Sequence, residues 1–544
     1  MIRIAQRGRG GESIEADVCV VGAGPAGLAI ASGLIGSGLQ VVILEAGPLE
    51  PNKDNQRLAA GELAGLPYDP LEAVRARAFG GTAHYWNIDL GGGAPGLRLR
   101  RLDSLDLLPR DWVPNSGWPF DLDELAPYYE RAEALFGIEG QSHSLTKDSE
   151  ETYALLGANS SFEAAVFRFG RSTHIIGQQA LLSEEPSVTV LIGAIAVQIQ
   201  RDKEGDVSRI DAMTLTGNDY SIEARAYVLA AGGIENARLL LLSGSGRDAI
   251  GNERGLVGRF FMEHPHSRAG FVVVRDAQAN VPAKEIQDIE GAPGELWLRL
   301  RDDKASEHRV GNVVFGLKRV SAPEMRRTLA TGTPPPSVRA AQKLLGRLAG
   351  KTSKREDLGH LIRVALRGNR ELLQAAAARS RWVFAEKVRR RGLNDNEVVY
   401  RIDLMTEQFP TSGSRVSLST ARDPLGQPLP RLEWCLTDSD MSSMVRAHDL
   451  LSEQLERTGF GTFISTFAEQ KGPINWGYHH MGTTRMHVDE RFGVVDQNLR
   501  VHETANLYIA GSSVFPTSGV SNPTLTIIAM SFRLAEHLLH RFQA

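Results

Sequence analysis

The feature that most constrains this chain is a glycine-rich turn between two short apolar runs near the N-terminus. Residues 17–21 read DVCVV, and the next six read GAGPAG, which is a GxGxxG spacing. An Ala, Leu and Ile-rich run follows, and a second apolar run at 41–44 leads to Glu45. This order predicts a buried strand, a tight turn, a helix and a second strand. Such a unit begins a parallel sheet of the Rossmann type.

Each special position in this unit has a physical reason to bind a dinucleotide. Gly22 permits the tight turn, Gly24 lets a pyrophosphate approach the backbone, and Gly27 lets helix and strand pack closely. The helix N-terminus offers unpaired N–H groups and a positive dipole end to the phosphates. Glu45 follows the glycines by about 20 residues, where its carboxylate accepts hydrogen bonds from ribose hydroxyls and repels a 2′-phosphate. The unit therefore predicts FAD or NAD rather than NADP.

Length and composition indicate a protein of several structural units with ordinary globular character. The chain has 544 residues, 42% of them hydrophobic and 23% charged, with a formal net charge of -4. This small charge gives no electrostatic reason to bind nucleic acid. The two cysteines, Cys19 and Cys435, form neither a disulfide framework nor a metal-type spacing. Since no apolar run is long enough for a signal or a transmembrane segment, we expect a cytoplasmic enzyme.

The C-terminal part of the chain holds a second group of signals. Residues 475–486 read NWGYHHMGTTRM, and a short apolar strand at 507–510 is followed by the turn residue Gly511. Asn522 and Pro523 then open a long apolar helix, for which proline suits the first position. The positive end of this helix would suit the carbonyl edge of an isoalloxazine ring, which becomes negatively charged on reduction.

Taken in order, these segments resemble the glucose-methanol-choline (GMC) flavin oxidoreductases, particularly the branch similar to pyranose oxidases. The resemblance rests on GxGxxG with Glu45, on GGTAHYW at 80–86, on LAAGGIENARLLL at 229–241, and on HHMGTTRM, NLYIAGSSVFP and NPTLT near the C-terminus. These motifs reach both ends of the chain. The resemblance implies FAD rather than NAD, and oxidation of a hydroxyl group to a carbonyl.

The resemblance also implies the catalytic pair. In this family the histidine of an HxxGT pattern meets the substrate hydroxyl, and His479 holds that position; Asn522 holds the position of its partner. Neutral imidazole can accept the hydroxyl proton, and an amide can hold the oxygen in line. His480 is the competing base, because adjacent side chains on an extended segment point opposite ways. Two adjacent histidines without carboxylate or cysteine partners do not predict a metal site.

The motifs and the resemblance together assign cofactor contacts. In family members with covalently attached FAD, a histidine directly precedes the residue matching Trp86; here Tyr85 stands there, and His84 is shifted by one. We therefore expect non-covalent FAD and a packing role for His84. The expected FAD-binding residues are Gly22, Gly24, Ala26, Gly27, Glu45, Ala46, Arg77, Gly80, Gly81, Thr82, Trp86, Val197, Ala231, Gly511, Ser512, Asn522 and Thr524.

The expected fold is α/β, with a Rossmann-like FAD-binding domain and a second, mainly antiparallel β-sheet domain for the substrate. We place the FAD-binding domain at 14–265 and 471–544, the substrate domain at 266–320 and 396–470, and a basic helical insertion at 321–395. Basic residues outnumber acidic ones in the insertion. A solvated helical face is its ordinary interpretation, and a docking surface for a partner subunit or an anionic membrane is the alternative.

Four polar residues in the substrate region have open roles. His264 and His266 precede an apolar strand and are expected to be structural. Glu407 and Gln408 follow a strand-like run and are either pocket residues or an exposed pair on an edge strand.

The expected substrate is a sugar, glycoside, polyol or aminoglycoside-like natural product. Two other functions stay open: a flavin-containing lyase of the same family whose FAD does no redox work, and a partner-dependent dehydrogenase subunit, which the basic insertion suggests. The sequence leaves open which hydroxyl is oxidised, whether the electron acceptor is oxygen, a quinone or a protein, and the oligomeric state.

Overall fold

The structure is a computed structural model of the chain. The predicted insertion lies outside the described residues except for positions 321, 324 and 325. The described residues are 1–5, 10–153, 155–156, 159–274, 276, 279–321, 324–325, 397–467 and 474–543.

Most of the described strands are short and have at least one buried face. Numbered along the chain, they are β1 (Ile2–Ile4), β2 (Glu12–Val21), β3 (Val41–Glu45), β4 (Glu62–Gly65), β5 (Gly96–Leu99), β6 (Phe162–Arg171), β7 (Val188–Ile192), β8 (Ile195–Arg201), β9 (Val207–Met213), β10 (Asp219–Leu229), β11 (His266–Val274), β12 (Gln287–Ile289), β13 (Ala292–Leu300), β14 (Val313–Val320), β15 (Val398–Thr406), β16 (Arg415–Arg422), β17 (Pro428–Trp434), β18 (Gly461–Ser465) and β19 (Leu507–Ile509).

The helices connect these strands and cover the sheets. They are α1 (Pro25–Leu34), α2 (Lys53–Gln56), α3 (Leu71–Val74), α4 (Ser104–Leu107), α5 (Leu122–Phe136), α6 (Lys147–Glu151), α7 (Thr173–Ile176), α8 (Gln178–Glu184), α9 (Gly232–Leu242), α10 (Asp302–His308), α11 (Asp438–Thr458) and α12 (Thr524–Gln543), with 3₁₀ turns at Arg57–Ala59, Gly81–Tyr85, Gly246–Asp248 and Ser512–Val514.

The first sheet confirms the predicted Rossmann-like unit. Its strand order is β1-β7-β3-β2-β10-β9-β8, and β19 pairs with β10. The strands β1, β7, β3, β2, β10 and β19 run parallel, whereas β8, β9 and β10 form an antiparallel meander. Helix α12 packs against both α1 and α5, and α1 packs on β2 and β3 of this sheet. The two ends of the chain therefore share one core.

The first strand–turn–helix junction is as tight as the glycine spacing predicts. Gly22 has a φ of 108°, a conformation that favours glycine. A Cβ at Gly27 would lie 2.0 Å from the Gly22 oxygen, so a larger residue there would separate helix α1 from β2. Pro25 occupies the first helical turn, and Gly24 caps the helix without a side chain. The N-terminal N–H groups of α1 are thus left for a ligand.

The second sheet is antiparallel throughout, as expected for a substrate domain. Its order is β18-β11-β15-β14-β13-β6-β5, with β12 paired to β13. Helix α11 starts at a capping box formed by Thr437 and Asp440, and it packs with β18. Strands β5 and β6 come from the range 14–265, so this part of the chain contributes to both sheets. The division of the chain into domain ranges stays a prediction.

A small third sheet joins the two larger ones. It has the order β16-β17-β4, and β4 pairs in parallel with β17. The range 396–470 therefore divides between the second and third sheets. Trp434, at the end of β17, is buried with Tyr68 and Phe261 in one apolar cluster. This cluster brings the loop after β4 next to the segment that precedes β11.

Glu407 and Gln408 are internal braces, not an exposed pair. The side chains of Arg110 and Glu407 are 2% and 0% exposed and form two hydrogen bonds of 2.7 and 2.6 Å. The side-chain oxygen of Gln408 accepts from the Glu263 N–H at 2.9 Å and from the Trp434 indole at 3.0 Å. Its amide nitrogen donates to the Cys435 carbonyl at 2.9 Å, so both polar atoms of the side chain have a partner.

We predict that Glu407→Gln destabilises the protein by about 3–5 kcal/mol, because it leaves the Arg110 guanidinium buried without its counter-charge. The matched control is Glu490→Gln, since Glu490 pairs with Arg254 where the two side chains are 54% and 50% exposed. We expect that exposed pair to contribute little, because solvent screens its charges. Thermal unfolding followed by circular dichroism measures both changes. Equal melting temperatures for the two variants would contradict the prediction.

Candidate active site

The carboxyl ends of β2, β10 and β19 meet at one edge of the first sheet, which is where ligands of open α/β sheets bind. A Cβ at Gly22 would lie 2.7 Å from the Ala230 oxygen, so the turns after β2 and β10 are in contact. The Asn236 side chain accepts from the Ala231 N–H at 2.8 Å and donates to the Ala510 carbonyl at 3.1 Å. This asparagine therefore ties the turn after β10 to the turn after β19.

The predicted GGTAHYW loop lies directly against the GxGxxG turn. The Gly80 N–H donates to the Ala23 carbonyl at 2.8 Å. Gly81 has a φ of 55°, and a Cβ there would lie 3.0 Å from the Gly24 Cα. Thr82 and Trp86 follow in and after the 3₁₀ turn of this loop. Two predicted cofactor segments thus form one glycine-lined cradle.

Glu45 ends β3 beside this cradle with its carboxylate already oriented. The side chain accepts from the Ala23 N–H at 2.8 Å and from the Gly47 N–H at 2.7 Å. Burial raises the pKa of Glu45 to about 7, although these hydrogen bonds and the charge of Arg77 act in the opposite direction. A carboxylate has further lone pairs, so it can still accept hydrogen bonds from hydroxyl groups.

An apolar slot opens next to Glu45. Ala46 packs in one cluster with Leu58, Ile195 and Val197. Arg77 and Val197 both line the cavity at this place. Arg77 is held there by an ion pair of 2.9 Å with Glu235. Charged residues, Arg77 and Glu235 among them, line the cavity together with most of these apolar side chains.

The structure brings the predicted catalytic residues together. The Asn522 Nδ2 lies 3.2 Å from the His479 Nε2, although the two residues are 43 positions apart. The Asn522 Oδ1 is buried and has no hydrogen-bond partner among the described residues. Helix α12 begins directly after Asn522 and Pro523, with Thr524 as its first residue. An amide and an imidazole thus face each other at the positive end of a helix.

His480 points to a different partner. Its Nε2 lies 3.0 Å from the Tyr68 hydroxyl, and its ring packs near Tyr68 and Phe261. Burial lowers the pKa of His480 to about 3. A Cβ at Gly233 would lie 2.1 Å from the His480 oxygen, so the backbone here is pressed against the start of α9. These contacts give His480 a packing role.

His264 contacts His479 directly, which the sequence analysis did not foresee. The two Nδ1 atoms are 2.9 Å apart, and the His264 Nε2 lies 3.1 Å from the Ser518 carbonyl. The Glu263 carboxylate accepts from the His479 N–H at 3.0 Å and from the His264 N–H at 3.2 Å. Glu263 also accepts from the Tyr68 hydroxyl. No signal in a single sequence distinguishes these residues from a structural pair before a strand.

Burial sets the charge state of this cluster. It lowers the pKa of His479 well below the ordinary value, and His264, His266 and His480 add to this effect. Burial also lowers the pKa of His264 to about 4 and raises the pKa of Glu263 to about 7. His479 is therefore neutral near neutral pH, which is the form that can accept a proton.

The remaining predicted positions lie around the same edge. Ser512 donates to the His480 carbonyl at 2.7 Å, and Gly482 N–H donates to the Ser512 carbonyl at 3.1 Å. The segment 479–486 is thus fixed against the turn at Gly511. Ala26 is buried in α1 behind the cradle.

Comparison with known proteins identifies the family. Residues 17–260 match the family model described as FAD dependent oxidoreductase, and residues 410–531 match GMC oxidoreductase. The chain therefore carries an FAD-dependent oxidoreductase domain and a GMC oxidoreductase C-terminal domain. The predicted family, fold class and FAD dependence are confirmed.

Several known proteins match this chain over nearly its whole length. Paromamine 6'-oxidase from Streptomyces fradiae is 25% identical, over 96% of this chain and 90% of that protein. The fructose dehydrogenase large subunit from Gluconobacter japonicus is 23% identical, over 97% of this chain and 98% of that protein. A solved formate oxidase from Aspergillus oryzae RIB40 has a TM-score of 0.52 at 16% identity, covering 98% of this chain and 100% of the other. This last likeness shows the fold alone.

Two features were not found in the part of the chain that the structure describes. None of its helices combines the length and the apolar character needed to cross a membrane. No group of three histidine, cysteine, aspartate or glutamate side chains is arranged to hold a metal ion.

We predict that Glu263→Gln changes the pH dependence of stability. Burial raises the pKa of Glu263 from 4.5 to about 7. The wild type therefore loses stability as pH rises through that interval, by up to ~1.4 kcal/mol per pH unit, because the unfolded chain ionises this carboxyl while the folded protein keeps it protonated. The glutamine variant lacks this loss, so its melting temperature should rise relative to the wild type between about pH 5 and about pH 7. A constant difference across this range would contradict the prediction.

Proposed function

We propose that this GMC oxidoreductase oxidises a hydroxyl group of a sugar, glycoside, polyol or aminoglycoside-like natural product to a carbonyl, with His479 as the base. The observation that carries this proposal is the 3.2 Å contact between His479 and Asn522 at the N-terminus of α12. Paromamine and fructose, named in two full-length relatives, are both polyhydroxy compounds.

The residues of the site fit FAD, and we assign its parts to them. The N-terminus of α1, with Gly22, Gly24, Ala26 and Gly27, suits the pyrophosphate. Glu45 suits the adenosine ribose. The slot formed by Ala46, Val197 and Arg77 suits the adenine. The flavin ring belongs to the residues on the other side of the cradle: Gly80, Gly81, Thr82, Trp86, Ala231, Gly511, Ser512, Asn522 and Thr524.

We propose that the FAD is bound without a covalent link to the protein. His84, the histidine nearest to the position of covalent attachment in the family, places its Nε2 2.8 Å from the Phe79 carbonyl of its own loop. Tyr85 holds the attachment position itself. His84 therefore braces the loop.

The chain's own residues handle the proton of the reaction. Oxidation of an alcohol removes a hydride from carbon and a proton from oxygen. Bound FAD supplies the hydride acceptor. His479 Nε2 takes the hydroxyl proton, and the Asn522 amide donates a hydrogen bond that orients the oxygen. Because His479 is also held by His264 and by the Glu263 carboxylate, its imidazole meets the hydroxyl in one orientation.

We predict that His479→Ala slows anaerobic flavin reduction by a factor of about 10²–10⁴, the usual contribution of a general base, without releasing FAD. His480→Gln is the matched control, because glutamine can still hydrogen-bond to the Tyr68 hydroxyl. The hydrogen-bond partner of the His480 ring is this hydroxyl and not Asn522. Stopped-flow absorbance of the flavin band measures both. Unchanged reduction in His479→Ala, or equal losses in both variants, would contradict the assignment.

We predict that the flavin is bleached anaerobically by at least one polyhydroxy compound in a panel that contains paromamine, other aminoglycosides, fructose, glucose and simple diols. Product analysis should show one hydroxyl converted to a carbonyl. If every compound leaves the spectrum unchanged while another substrate is cleaved with FAD still oxidised, the lyase function is correct and our proposal is wrong.

A partner-dependent dehydrogenase is the second candidate, because one full-length relative is the large subunit of a fructose dehydrogenase. The same anaerobic experiment separates it from an oxidase when air is readmitted. Fast return of the flavin absorbance identifies oxygen as the acceptor. A flavin that stays bleached in air, and is reoxidised by a quinone or by a copurified protein, identifies the dehydrogenase.

A further inference from the structure

The adjacent residues Glu263 and His264 contact both the backbone and the side chain of His479. The Glu263 carboxylate holds the backbone N–H of His479, and the His264 ring holds its imidazole. Glu263 and His264 are both 0% exposed. Two adjacent residues just before β11 therefore hold the backbone and the side chain of His479. They contact the Nδ1 side of its ring, whereas Asn522 contacts the Nε2 side.

The hydrogen bonds of His264 determine which of its nitrogens carries hydrogen. The Ser518 carbonyl can only accept, so the His264 Nε2 at 3.1 Å must be the N–H. A neutral imidazole has one N–H, and burial keeps His264 neutral near pH 7 by lowering its pKa to about 4. The His264 Nδ1 is consequently a bare acceptor.

This acceptor in turn determines the tautomer of His479. The two Nδ1 atoms lie 2.9 Å apart, so one of them must donate, and only His479 can do so. Neutral His479 then carries its hydrogen on Nδ1 and a lone pair on Nε2. That lone pair faces the Asn522 amide at 3.2 Å, on the side where a hydroxyl group would bind.

The hydrogen bond from His479 to His264 is not needed to satisfy the N–H group of a buried His264. The Ser518 carbonyl already satisfies the His264 N–H, and the second nitrogen meets the His479 ring instead of a backbone N–H. The ring centroids are 4.9 Å apart and the planes cross at 78°, so the His264 lone pair meets the edge of the His479 ring. The contact also fixes the plane of the His479 ring.

We propose that His264 is a positioning residue for the oxidation: it holds His479 in the tautomer and ring orientation that present Nε2 to the substrate hydroxyl. This proposal rests on the proposed role of His479 as the base. When His479 takes the proton, its Nδ1–H continues to donate to His264 as a charge-assisted bond, which stabilises the imidazolium that forms.

Two variants with side chains of similar size distinguish the effect of losing the hydrogen-bond acceptor from the effect of changing the side-chain volume. His264→Asn places an amide oxygen near the position of Nδ1, whereas His264→Leu places a methyl group there. We expect His264→Leu to slow anaerobic flavin reduction by a factor of about 10–100, the usual effect of removing such an orienting partner. We expect His264→Asn to recover most of the rate, with the flavin spectrum and the FAD content of both variants unchanged.

The His479→Ala background distinguishes this proposal from the proposed function. His264→Leu should slow the wild type but add no further loss to His479→Ala, because the two residues act as one unit. If His479→Ala is slow and His264→Leu reduces flavin at the wild-type rate, only the role of His264 is overturned. If His479→Ala is itself fast, the proposed base is wrong.

Equal losses in His264→Asn and His264→Leu would also overturn the proposal, because they would show that shape matters and the acceptor does not. If His264→Leu fails to load FAD, His264→Asn decides by itself. A rate within about threefold of the wild type then supports the acceptor role, and a loss of about tenfold or more contradicts it.

Discussion

The parallel pairing of β19 with β10, beside β2, is the constraint on which the rest of this structure depends. Tyr227 to Leu229 pair with Leu507 to Ile509, and the neighbouring strand β2 carries the glycine turn at its carboxyl end. Because carboxyl ends of parallel strands open at one edge, three separate parts of the chain deliver their loops to one place. The glycine turn at Gly22 and the His479 segment become neighbours through backbone hydrogen bonds, before any side chain contributes.

Burial determines the charge state of the histidines at this edge of the first sheet. Burial disfavours the charged form of these histidines, so His479, His264 and His480 all have lowered pKa values. A neutral imidazole in a closed site can accept a proton from an alcohol, and its tautomer is fixed by the hydrogen bond at its other nitrogen. The buried Glu263 side chain accepts hydrogen bonds from backbone N–H groups. Its raised pKa reflects the free-energy cost of burying its charged form.

The sequence predicted the features that depend only on neighbouring residues. The glycine turn at Gly22, the acid at Glu45 and the helix that follows Pro523 all depend on backbone conformation or periodicity within a few residues, and the structure has them as expected. The contact between His479 and Asn522 came from a family resemblance, because no periodicity connects two loops. The roles of His264 and Glu407 could not be predicted, since each depends on a partner from another sheet or loop. The pairing of β17 with β4 was missed for the same reason.

A crystal structure of the protein with FAD and a substrate analogue tests the central claim most directly. We expect the adenosine part to lie at Glu45 and the substrate hydroxyl to lie within hydrogen-bond distance of both His479 Nε2 and the Asn522 amide, next to the isoalloxazine ring. An isoalloxazine ring found far from His479 and Asn522, or a hydroxyl held by His480 instead, would contradict it.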